Sequence, residues 1–203
     1  ECDYAKANRL ASDDAFDLIP KVRFFGNAIL SMLTKIASGY WGVADSQAGY
    51  TVASASALRA VDLQAIYPRY GFPNDMLVRL NVARKTVLDV PSRPIYGVGE
   101  ASGIRLSKVI PRISFLLFRR FWWRLWRRYV VQDFHPLVFF YAIGSLLLTV
   151  GTALGVFVVV RRLTGHDLTS ATVVLIALMV LSGLQLVLFA MWFDMDAGSR
   201  RRP

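Results

Sequence analysis

The chain has 203 residues, 55% of them hydrophobic, and a formal net charge of +10. That length holds one modest soluble domain and a membrane anchor, but not two large domains. Its single cysteine, Cys2, excludes a disulfide framework and a multi-cysteine metal site.

Glu1-Cys2-Asp3-Tyr4 has neither a basic n-region nor an apolar h-region, so it is not a secretory signal. It reads as a chain entered part-way. A short strand is expected over residues 3–8. Residues 20–39 carry Val22, Phe25, Ile29, Met32, Leu33 and Ile36 on one stripe, which predicts an amphipathic helix. A strand over 50–55, a short helix over 56–62, a helix over 74–82 after Gly71-Phe72-Pro73 and a strand over 86–90 closed by Pro91 follow. Helices alternating with strands point to an α/β domain over residues 1–107. Three strands make a meagre sheet for that length, so part of the domain is expected before Glu1.

Residues 108–134 are basic and aromatic. Between 101 and 135 lie Arg105, Lys108, Arg112, Arg119, Arg120, Arg124, Arg127 and Arg128 against Asp133 alone. Nucleic acid is the usual partner of such a cluster. Here it abuts an apolar span and is interleaved with Trp122, Trp123 and Trp126, so anionic lipid headgroups are the expected partner and nucleic acid is not. The pattern predicts a helix in the headgroup plane, with guanidinium groups reaching for phosphate. Plain anchoring and guidance of a lipid substrate both fit it.

Residues 136–160 and 169–193 are uncharged, and each reaches the roughly 20 residues that cross a bilayer core. With the short 161–168 connection they predict a transmembrane hairpin over 135–193, its close approach provided by Gly144, Gly151, Gly155 and Gly183. The basic cluster before the first span and Arg200, Arg201 and Arg202 in the 194–203 tail outweigh Arg161 and Arg162 in the loop. The N-terminal domain and tail are therefore expected in the cytoplasm.

Familiar catalytic constellations are absent: no GxSxG, HExxH, P-loop or CxxC. What remains is polar residues in turn-rich settings. Asp45 lies in WGVADSQAGYT, where it serves a turn or a ligand. Asp75 lies in YGFPNDMLVRL, where it serves as a cap or a reactive group. Arg23 and Asn27 share a helical face and, with Arg9, form an anion site or an ordinary polar surface.

The order of these motifs is more specific than any one of them. Tyr4-Ala5-Lys6-Ala7-Asn8-Arg9, Arg23-x-x-Gly26-Asn27, Gly39-Tyr40-Trp41, Asp45-Ser46-Gln47-Ala48-Gly49-Tyr50-Thr51, Tyr70-Gly71-Phe72-Pro73-Asn74-Asp75, Val90-Pro91 and Gly99-Glu100-Ala101-Ser102-Gly103 together resemble family 2 glycosyltransferases. The nearest branch is the polyprenyl-phosphate sugar synthases related to dolichyl-phosphate mannose synthase. The resemblance implies a GT-A fold, of which this chain holds the acceptor-side part. The metal-binding DxD motif, with its Mg or Mn, is then expected upstream of Glu1.

The resemblance also implies roles. Arg9, Arg23 and Asn27 would grip the acceptor phosphate, and a guanidinium suits phosphate oxygens geometrically. Asp45 and Gln47 would line the donor pocket, although the arginine that family members often carry near Gly49-Tyr50-Thr51 is absent. Asp75 would sit at the reaction centre as the catalytic carboxylate. Glu100, Ser102 and Arg105 would lie on a mobile loop that closes over the diphosphate. The implied activity is mannosyl or glucosyl transfer from a nucleotide-sugar to a polyprenyl phosphate, at the cytoplasmic face of a bacterial inner membrane. The activity is expected of the whole enzyme rather than of this portion alone, and a homo-oligomer is compatible with the reading. The alternative is a non-catalytic membrane-anchored lipid- or protein-interaction module.

Overall fold

The computed structural model describes residues 2–12, 14–95, 106–165 and 169–199, with the backbone alone at 23, 106–108 and 199. Glu100, Ser102, Arg105 and Arg200 to Arg202 lie outside the described residues. Strand β1 (Tyr4–Asn8) runs between β2 (Thr51–Ala53), antiparallel to it, and β3 (Val87–Pro91), parallel to it. The helices are α1 (Ala15–Leu18), α2 (Lys21–Ser38), α3 (Ala55–Ala60), α4 (Phe72–Val82), α5 (Leu106–Trp126), α6 (Leu137–Leu163) and α7 (Ser170–Ser199). A π-helical segment, Arg127–Gln132, joins α5 to the hairpin.

Side chains alternate across a strand, so Tyr4, Lys6 and Asn8 share one face of β1. Tyr4 packs there with Ala57 of α3 and with Met76, Leu77 and Leu80 of α4. On the other face Val52, Leu88 and Val90 stand exposed. α4 is buried almost all round because its far side meets Leu30 and Ala37 of α2 and Ile113 and Leu117 of α5 through Val78. Pro73 suits its first turn, where a missing N–H costs nothing. The soluble part is thus sheet, then α3 and α4, then the α2–α5 pair.

The amphipathic helix is where the stripe places it, but four of the six stripe residues face outward, while Leu33 packs against the core. Val22, Phe25, Ile29 and Met32 are each more than half exposed, while Leu30, Ser31, Thr34 and Ala37 face the core. Small and hydroxyl side chains let α2 lie close against α4 and α5. Ile29 and Met32 stand exposed on α2, and Phe115, Phe118 and Trp126 stand exposed on α5.

α6 and α7 are long and apolar enough to cross a membrane, and only 11% of each apolar window is buried within the protein. Core helices of a soluble protein are covered; these are not. They pack as a hairpin, and at Gly183 an added Cβ would lie 2.8 Å from the Leu148 amide nitrogen. The base of the hairpin joins the soluble part through Leu125, Tyr129, Leu137, Tyr141 and Ala190.

Candidate functional site

The loop that leaves α2 carries a dense polar construction. α2 stops at Gly39, whose φ of 72° is left-handed and favours glycine. Six residues on, Asp45 is fully buried. Its Oδ1 accepts the Gln47 and Ala48 amides at 3.1 Å each, closing a turn. The same carboxylate takes Arg9, with Nε 2.7 Å from Oδ2 and Nη2 3.3 Å from Oδ1. Asp45 is thus at once a turn organiser and the counter-ion of Arg9. The two were expected on donor and acceptor respectively; the structure makes them one forked pair.

Beneath the loop, buried Lys6 donates to the Ala48 carbonyl oxygen. Burial lowers its pKa to about 8, a fall that nearby Asp45 and Asp89 oppose. Asp89 accepts the Ala44 amide at 2.6 Å, and burial raises its pKa. On the other side, Gln47 Nε2 donates to Ser46 Oγ and to Asn74 Oδ1, at 2.7 and 2.8 Å. Thr34 Oγ1 donates to the same Asn74 oxygen, and the Ser46 amide donates to Ser31 Oγ. The seam pins the Asp45 loop to β1, β3, α2 and α4.

Asp75, next to Asn74, looks the other way. Its Oδ2 accepts the Tyr67 amide at 2.8 Å, Arg79 Nε at 3.1 Å and Arg120 Nη2 at 3.1 Å. Arg120 Nε stands 2.6 Å from Oδ1. Both guanidinium groups lie over Trp123, at 5.6 and 5.5 Å from its ring centroid. A fully buried carboxylate so held is a structural tie between α4 and α5.

Arg124 and Arg128, expected to reach lipid phosphate, are 0% and 2% exposed. Arg124 meets Asp194 of α7 with two hydrogen bonds, at 2.9 and 2.8 Å. Arg128 donates to the Asn81 carbonyl and side-chain oxygens. Arg120, Arg124 and Arg128 recur four apart, and that whole face turns inward, where removal from water is offset by protein acceptors. Trp122 and Trp123 are half-buried, while Arg112, Arg119, Trp126 and Arg127 stand exposed. On α2, Asn27 is half-buried, and of Arg23 only the backbone is described. A cleft of about 610 Å³ opens elsewhere, between Gly39–Val43, the start of β3 and the end of α7.

No protein-family model and no solved structure matches the chain. Among curated proteins, the UDP-N-acetylglucosamine–dolichyl-phosphate N-acetylglucosaminyltransferase of Methanococcus voltae is 30% identical over 118 residues. The chain is similar to a dolichyl-phosphate sugar transferase. The match covers 58% of this chain and 45% of that protein, so the chain spans less than half the length of the relative.

Among the described residues no three of His, Cys, Asp and Glu converge where a metal ion would bind. Asp45 is committed to Arg9 and to backbone amides, and Asp89 to the Ala44 amide, so these residues do not fit a Mg or Mn site. Sequence reasoning assigned no role to Lys6, Asp89 and Asp194, and singled out Asn74 only together with Asp75. Lys6 had a legible signal, a lysine at an inward position of a buried strand. Asp194 had a weaker one, the first charge after an apolar span.

Proposed function

We propose that the chain is the acceptor-side portion of a GT-A-type membrane glycosyltransferase that moves a sugar from a nucleotide-sugar to the phosphate of a polyprenyl lipid. The observation that carries the reading is the outward apolar face of α2. Val22, Phe25, Ile29 and Met32 stand exposed along one stripe of α2, whose neighbour α5 leads into an apolar hairpin. Fully burying one such side chain is worth about 1.5–3 kcal/mol, so a helix with four of them in water is a poor arrangement and one lying on a bilayer is a good one. Arg23 and Asn27, one turn apart on the same helix, are the residues assigned to the lipid phosphate. The similarity to a dolichyl-phosphate transferase points the same way.

In the proposed reaction a phosphate oxygen of the acceptor attacks the anomeric carbon. The bond from that carbon to the nucleoside diphosphate breaks, and the diphosphate leaves with the electron pair. The phosphate is already ionised at neutral pH, so no general base has to remove a proton. This frees Asp75 from that role: it holds Arg120 and Arg79 in place and so sets α5 against α4. Arg9, Arg23 and Asn27 are assigned to the acceptor phosphate, Asp45 and Gln47 to the donor side, and Glu100, Ser102 and Arg105 to the diphosphate. Arg9 reaches its ligand while its charge is oriented by Asp45.

The soluble part is assigned to the cytoplasmic side. The relative's name gives UDP-N-acetylglucosamine as its donor, which makes that nucleotide-sugar the first to test, ahead of UDP-glucose and GDP-mannose. Protein expressed from its complete coding sequence is incubated in proteoliposomes with each labelled donor and polyprenyl phosphate. A labelled, organic-extractable lipid is expected with one donor. No labelled lipid with any donor refutes the enzyme and leaves the membrane-anchored interaction module. Arg23→Ala is expected to raise the acceptor KM far more than the donor KM.

A further inference from the structure

Asp194 is the first charge after the apolar run of α7, and it is buried in protein. Its two oxygens receive both terminal nitrogens of Arg124, at 2.9 and 2.8 Å, and Oδ1 also accepts the Tyr129 hydroxyl at 2.6 Å. Arg124 Nη2 further donates to the Ile36 carbonyl at 3.2 Å, one of the last-turn carbonyls of α2 that the helix itself leaves unpaired. Gly39 stands against this cluster: a Cβ there would overlap the Arg124 guanidinium, and one on Gly198 would lie 3.1 Å from the Gly39 carbonyl oxygen. One buried point therefore joins the end of the membrane hairpin, the membrane-entry helix and the end of α2. From α2 the chain runs directly into the loop that carries Asp45.

We propose that Asp194 is a positioning residue: through Arg124 it locks the cytoplasmic end of the second membrane helix to the last turn of α2, and so sets the height and tilt of α2 over the bilayer. A hairpin serving only as a tether needs no buried charge at its junction. A forked carboxylate–guanidinium pair fixes direction as well as distance, which an apolar contact does not. The functional consequence rests on the reading of α2 as the acceptor-binding helix; the clamp itself does not.

The test uses the full protein in nanodiscs, with Cys2→Ser and spin labels at Met32→Cys on α2 and Leu146→Cys on α6, both exposed positions. A single narrow distance distribution is expected, broadened or shifted by Asp194→Asn and restored by Asp194→Glu. An unchanged distribution in folded Asp194→Asn overturns the proposal. Should that variant not fold, Tyr129→Phe, which removes one hydrogen bond, is expected to broaden the distribution partially, and no change there overturns the proposal equally. In active protein, Asp194→Asn is expected to raise the KM for polyprenyl phosphate about tenfold while the donor KM moves less than about twofold. A protein that transfers no sugar but loses its narrow distance in Asp194→Asn refutes the proposed function and keeps the clamp.

Discussion

Asp75→Asn separates a structural carboxylate from a reactive one. Asparagine keeps the shape and an oxygen for the Tyr67 amide, so the substitution removes little besides the charge. Arg79 and Arg120 would then face each other over Trp123 without a counter-ion. Removing one partner of a buried ion pair costs about 3–5 kcal/mol. The Arg79 and Arg120 side chains retain 11% and 22% exposure, which lets water recover part of the loss and puts the expectation near the lower end. At about 2–4 °C per kcal/mol for a chain of this size, a loss of about 3 kcal/mol lowers the unfolding midpoint by about 6–12 °C. The midpoint is read by circular dichroism in detergent micelles. Arg120→Ala should fall similarly, and the double variant by less than the sum, because the two share one interaction. The reasoning is refuted if Asp75→Asn melts with wild type while turnover drops by about 100-fold or more, the signature of a lost acid–base group.

Gly39→Ala places a side chain at a left-handed φ, a cost of about 1–2 kcal/mol before the displacement of Arg124 is counted, and should lower the same midpoint. Gly183→Leu should open the hairpin, since its neighbours are the Leu148 amide and the Gly144 carbonyl, whereas Gly155→Ala, with its nearest atom at 3.5 Å, should be near neutral. Lys6 has a folded pKa of about 8, below the 10.5 of the exposed group, so between those values the unfolded chain binds more protons and stability must rise with pH. Denaturant titrations from pH 7.5 to 10.5 should show that rise in wild type relative to Lys6→Met, up to about 3 kcal/mol. Equal slopes contradict the assignment.

The membrane spans were legible because uncharged runs of that length have few alternatives, and the soluble helices because Pro20, Gly39 and Pro73 punctuate them. Periodicity established that α2 has an apolar stripe but not what covers it. The stripe found its place only when Ser31, Thr34 and Ala37 proved to be the inward face. Arg120, Arg124 and Arg128 were misread for a related reason. A guanidinium every fourth residue beside tryptophans looks like a lipid-facing row. Its real partners, Asp75, Asn81 and Asp194, stand tens of residues away in sequence and are recruited only by the tertiary fold. The turn chemistry of Asp45 was readable locally; its pairing with Arg9, across 36 positions, was not.

The most direct test of the acceptor site is photo-crosslinking in proteoliposomes with a polyprenyl phosphate that carries a photoreactive group near its phosphate. Label is expected on peptides of α2 around Arg23 and Asn27, displaced by unmodified polyprenyl phosphate and not by the phosphate-free alcohol. Label confined to α6 and α7, or displaced equally by the alcohol, would contradict a phosphate-binding face on α2.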